Sequence, residues 1–157
     1  MNMIKSDIID MLSSKDDKSA YAFSEQIISD SGKSDKWYAF FDDFASLLSH
    51  PKSLVRNRAL NILAANAVWD VENRFDSILP EYLSHIIDEK PVTSRQCIKA
   101  LAVVGQAKPL LIPEIISALQ NAEFSKYRDS MRPLIEKDIA ETIGILEMIN
   151  GLQSQSP

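Results

Sequence analysis

The chain of 157 residues has 45% hydrophobic and 25% charged residues, enough for one domain with its own core and too ordinary in composition for a disordered or fibrous protein. A net charge of -5 argues against a protein held to nucleic acid by bulk charge, and no stretch approaches the roughly 18 uncharged apolar residues of a membrane span. Cys97 stands alone, which excludes an internal disulfide; the opening "MNMIKSDIIDMLSSKDD" lacks the unbroken apolar run of a secretory signal, so a cytoplasmic protein is expected.

Glycine is scarce and no run alternates apolar with polar residues for long, so the chain is expected to be all-α. Ile4, Ile8, Met11 and Leu12 fall on one helical stripe, as do Ala20, Phe23 and Ile27, which predicts an irregular N-terminal helix pair over 1–31. "SGKS" at 31–34 imitates the end of a phosphate-binding loop, but Ile27 stands where the first glycine is needed and no strand precedes it; an inter-helix linker is expected. Trp37, Phe40, Phe41, Phe44, Leu47 and Leu48 then follow three-and-four spacing up to His50 and Pro51, an aromatic stripe suited to a core.

From here the pattern repeats. "WYAFFDDFASLL", the turn "SHP" and "KSLVRNRALNILAANA" are echoed by "FDSILPEYLSHII", "DEKP" and "VTSRQCIKALAVVGQA", and a third unit follows from Leu110. Val55, Ala59, Ile62 and Leu63 correspond to Thr93, Cys97, Ala100 and Leu101, then to Tyr127, Met131, Leu134 and Ile135. This spacing divides one domain of 1–157 into repeats at about 36–68, 74–107 and 109–148, with a flexible tail at 150–157. Pro133 falls inside the third unit's second helix, where it is expected to kink or split it.

"LVRNRALNIL" resembles the V-R-x-x-A-x-x-A-L signature of the second helix in HEAT repeats, after a first helix ending in two leucines and a short proline-containing turn. The likeness runs from Trp37 to Leu146 and extends to small bacterial HEAT-like proteins; "TSRQCIKAL" shifts its arginine by one place. The resemblance to this armadillo-like superfamily implies a right-handed α-α superhelix, a solenoid of about four antiparallel helix pairs. It implies no reaction and no cofactor.

The repeat register decides which way Cys97 points. Arg95 and Lys99 flank it closely enough to lower a thiol pKa, yet Cys97 takes the place of Ala59 on the apolar face, so a packed, slowly reacting cysteine is expected. Away from that face lie Asn57, Asn61, Arg95 and Lys99, with Asp129 leading in the third unit; Arg58 and Gln96 adjoin them. These seven residues are the candidate binding surface, the inner curve of the stacked second helices. In the first two repeats, 52–67 and 92–106 carry Lys52, Arg56, Arg58, Arg95 and Lys99 with no acid, whereas Asp42, Asp43, Asp76, Glu81, Asp88 and Glu89 sit on the first helices. A mildly basic, amide-lined groove is one consequence. The alternative is that Arg56 bridges neighbouring turns and Arg95 pairs with Asp129.

No nucleophile, histidine and acid can be assembled, so no catalytic residue is assigned and the chain is expected not to be an enzyme. Glu81, His85, Asp88 and Glu89 read as a solvated helix face in preference to a metal site. Trp69 reads as a plug between helix pairs, with a partner anchor as the other use. The expected role is a protein-binding or adaptor module whose partner is another protein or an acidic peptide. Nucleic acid in the basic groove is the alternative, and self-association through apolar end faces is a third reading.

Overall fold

The structure, a computed structural model, describes residues 4–154. Among these there is no strand, and eight α-helices pack against one another: α1 (Lys5–Leu12), α2 (Asp17–Ser31), α3 (Phe41–Ser46), α4 (Ser53–Asn66), α5 (Arg74–Ser84), α6 (Pro91–Ala107), α7 (Ile112–Gln120) and α8 (Arg132–Ser154). The long even-numbered helices lie side by side in chain order, α2 on α4, α4 on α6 and α6 on α8, while α1, α3 and α7 each pack on the even helix that follows. A 3-10 turn at His85–Ile87 carries α5 onto α6.

The boundaries have local causes. Asp16 caps α2 by accepting the Ser19 amide at 3.3 Å. Asn73 adopts the left-handed conformation (φ 56°), and the amides that open α5, those of Arg74 and Phe75, donate to the Asp70 carboxylate at 2.8 Å each. Pro91 opens α6, where its missing N–H would have had no helical partner. The helix expected across the aromatic stripe is shorter than its pattern: 3-10 turns at Tyr38–Phe40 and Leu47–Ser49 bracket α3, and His50 is extended, as the residue before a proline prefers.

One core runs the length of the molecule. Tyr38, Phe41, Phe75 and Tyr82 form an aromatic chain with successive centroids 5.6, 5.8 and 5.1 Å apart. Val55, Ala59, Ile62 and Leu63 of α4 and Thr93, Cys97, Ala100 and Leu101 of α6 are all buried, as the repeat register requires. The third unit departs from it. Tyr127 and Met131 precede α8, Leu134 is exposed, and only Tyr127 and Ile135 of that set are buried. Pro133 neither kinks nor splits a helix; it sits in the first turn of α8, where a proline is tolerated, and the helix begins there. α8 continues to Ser154, into the segment expected as a flexible tail from residue 150, and residues 155–157 lie outside the described residues.

Candidate functional site

A cleft of about 400 Å³ opens along α2, α4 and the start of α6. Four of the seven candidate residues take part in it: Asn57, Arg58 and Asn61 from α4 and Gln96 from α6. They meet because the register puts them one helical turn apart on facing helices. Asn61 Nδ2 donates to the Asn57 carbonyl and to Gln96 Oε1, both at 3.0 Å, which ties α4 to α6 across the floor. Asn57 Oδ1 is shut off from solvent and accepts no hydrogen bond. A buried acceptor without a donor is costly, and this one faces the protein interior and not the open cleft.

The other three candidates lie elsewhere. Arg95 is not paired with Asp129; it reaches α8, where its Nε donates to Asp138 at 2.6 Å. That carboxylate is almost wholly buried and draws the guanidinium in, whereas Asp129 is solvated and bonds Arg132 on its own turn. Lys99 is exposed and makes no ion pair among the described residues.

Of the two readings of the other inner cations, a basic groove or internal ion pairs, Arg56 and Arg58 follow the second. Arg56 is buried, donating to Asp88 at 3.0 and 2.7 Å and to the carbonyls of His50 and Pro51. Arg58, also buried, donates to the Leu12 carbonyl at 2.8 Å and to Asp17 at 3.1 Å, and Lys52 shares that Asp17 carboxylate. The cations that the sequence concentrates on α4 thus fasten it to its neighbours and offer little charge to a ligand.

Periodicity applied to the later helices alone misses the α2 wall. Asp17, Tyr21, Ser24, Glu25 and Ile28 line the cleft from that side, and their three-and-four spacing on the stripe beside Ala20 and Ile27 was the available signal. Tyr21, Leu54 and Val92, respectively 61%, 42% and 55% exposed, form an apolar rim. Leu54 and Val92 occupy equivalent places in successive units. The Glu25 carboxylate beside Tyr21 raises the phenol pKa, and Glu25 has no ion-pair partner among the described residues.

The reactive side chains are otherwise engaged. Cys97 is fully buried, its Sγ 3.4 Å from the Tyr82 carbonyl, and burial pushes the thiol pKa well up. His50 Nδ1 accepts the Lys52 amide at 3.0 Å, and His85 Nδ1 lies 2.7 Å from Asp88. Asp88 is committed to Arg56 while Glu81 and Glu89 are exposed; among the described residues no three His, Cys, Asp or Glu side chains converge as metal ligands would. Trp69 Nε1 donates to the Ser31 carbonyl at 2.7 Å, closing the gap between α2 and the turn after α4. No described helix is long and apolar enough to cross a membrane. The chain matches no protein-family model, no curated protein and no solved structure.

Proposed function

We propose that this chain is a short HEAT-like solenoid acting as a cytoplasmic, non-enzymatic protein-binding module, with the cleft along α2, α4 and α6 receiving an extended segment of a partner protein. The observation that carries the reading is the cleft itself, floored by the Asn61 and Gln96 amides and rimmed by the exposed Tyr21, Leu54 and Val92. Amide side chains both donate and accept, which suits a peptide backbone, and the apolar rim of Tyr21, Leu54 and Val92 supplies the area that hydrogen bonds alone do not. Structural engagement of Cys97, His50 and His85 supports a role without catalysis.

The nucleic-acid alternative rested on cations that are now engaged in internal ion pairs, leaving Lys99 as its remaining support among the inner helices. The test is affinity capture from nuclease-treated native lysate with the wild-type chain and with a Leu54→Ser, Val92→Ser double variant, both sites being on the exposed rim. A defined protein held by the wild type and at least about tenfold depleted on the variant is expected. Equal retention by both would refute the cleft, and material released by nuclease would favour nucleic acid.

A further inference from the structure

Each even-numbered helix but the last packs against a successor, α2 on α4, α4 on α6 and α6 on α8. On α8 the core side is Ile135, Asp138, Ile139, Thr142 and Leu146, all buried. The side turned away from the core carries a row spaced by four, Ala140, Gly144, Met148 and Leu152. All are exposed, Met148 by 70% and Leu152 by 66%. A Cβ on Gly144 would meet no atom within 4 Å, so nothing within the chain requires this residue to be small. The charge beside the row, Lys137, is paired with Glu141 on its own helix at 3.8 Å. At the other end of the series α2 turns Lys18, Ala22, Glu25 and Ser29 to solvent, the kind of polar face that closes an array. α8 ends the described series with an apolar row instead.

We infer that α8 is the pairing surface of a homodimer, in which two copies cross antiparallel along this row with the two-fold axis between Gly144 and Met148. The order of sizes selects a second copy as the occupant. The row reads small, small, large, large, so on reversal Met148 of each copy meets Gly144 of the other and Leu152 meets Ala140. Rows of residues four apart are the ridges along which helices most often interlock, at a crossing of about 50°. A parallel pair would instead set Met148 on Met148 and leave a gap between the glycines, and a head-to-tail stack would lay the apolar row on the polar face of α2. A crossing of this length buries on the order of 1,200 Å² in total, the small end of specific interfaces, so the pair forms reversibly. This surface is separate from the cleft, which no residue of α8 lines.

The experiment is sedimentation velocity of the full chain over a concentration series, for the wild type, Gly144→Met, Met148→Gly and the variant carrying both. The wild type is expected to move from 17.6 kDa toward twice that mass as concentration rises through the micromolar range. Gly144→Met sets large on large and Met148→Gly sets small on small, so each is expected to weaken pairing at least about tenfold. The double variant again sets large on small, with the order exchanged, and should recover to within about threefold of the wild type. Gly144→Met places its side chain in open space, so its melting temperature should match or exceed that of the wild type at concentrations where both are monomeric, which separates lost pairing from lost folding.

A wild type that stays a single copy at millimolar concentration would overturn the proposal, and so would a dimer indifferent to both single variants. Failure of the double variant to recover would overturn the antiparallel register. Masses that pass two copies and keep growing would replace the closed pair by a head-to-tail stack. A different protein captured from native lysate by the wild type and lost on Gly144→Met, with the chain alone monomeric, would assign the row to that protein and not to a second copy.

Discussion

At the scale of single residues, the interior holds a few polar atoms whose value can be measured. Thr93 is fully buried and its Oγ1 has no hydrogen-bond partner, while the equivalent place in the preceding unit is filled by Val55. Replacing the hydroxyl by a methyl of nearly the same shape removes an unsatisfied group without opening a cavity. Thr93→Val is therefore expected to stabilise the fold by about 1 kcal/mol in urea unfolding at unchanged m-value. A loss of stability would mean that the hydroxyl is satisfied in solution. Cys97 shows how far one residue could be read from its column: the register with Ala59 gave its direction, and the structure buries it. Arg95 shows the limit. Its charge was visible, but whether it would face Asp129 or Asp138 depends on where α8 begins, and that was decided by a proline acting as a helix opener.

Among elements, α6 packs tightly on its neighbours at Gly105. A Cβ on Gly105 would lie 2.3 Å from Leu146 Cδ2 and 3.2 Å from Ile112 Cγ1, so the glycine is there for contact distance and not for its backbone freedom. Gly105→Val is expected to cost about 2 kcal/mol through overpacking, read as a lower denaturation midpoint. A neutral outcome would show that α8 can slide away. The helical class, the turn prolines and the buried faces of α4 and α6 were legible because three-and-four spacing is a local property. The third unit was not, since its register was extended through Tyr127 and Met131, which belong to a turn stretch and not to a helix. Most of the cleft floor was legible too. The α2 wall was missed because its stripe of Tyr21, Ser24, Glu25 and Ile28 mixes apolar with polar residues, and only the neighbouring packing makes it one surface. A basic groove and internal ion pairs stayed equally open for a related reason: a count of charges along a helix does not say which of them turn inward.

For the molecule as a whole, two buried carboxylates join units distant in sequence. Asp88 collects Arg56, His85 and the Lys90 amide, and Asp70 collects Tyr38, Lys108 and the amides that open α5. Burial alone would raise both pKa values, but these hydrogen bonds and cations outweigh it and hold each carboxyl below its ordinary value. A depressed carboxylate contributes stability above its unfolded pKa of about 3.9 and loses it as pH falls through the folded value. The melting temperature should therefore be nearly flat from neutrality to about pH 5 and fall steeply below about pH 4. Asp88→Asn should flatten part of that fall and cost about 3 kcal/mol at neutral pH, because it strands the buried Arg56. A steep decline already near pH 6 would point to a histidine and away from these aspartates.

The order in which the even helices lie, each mainly against the one before and the one after, also bears on how the chain finds its shape. The ties that cross units span similar stretches of chain, 32 residues for Arg56 to Asp88, 35 for Asn61 to Gln96 and 43 for Arg95 to Asp138. No tie among these asks the two ends of the chain to meet first. A nucleus at α4 and α6, where the core residues are most completely buried, can grow outward by closing one loop of comparable length at a time. Folding of this kind is quick, because each closure is rewarded before the next is attempted, and its reversal starts from the outer helices.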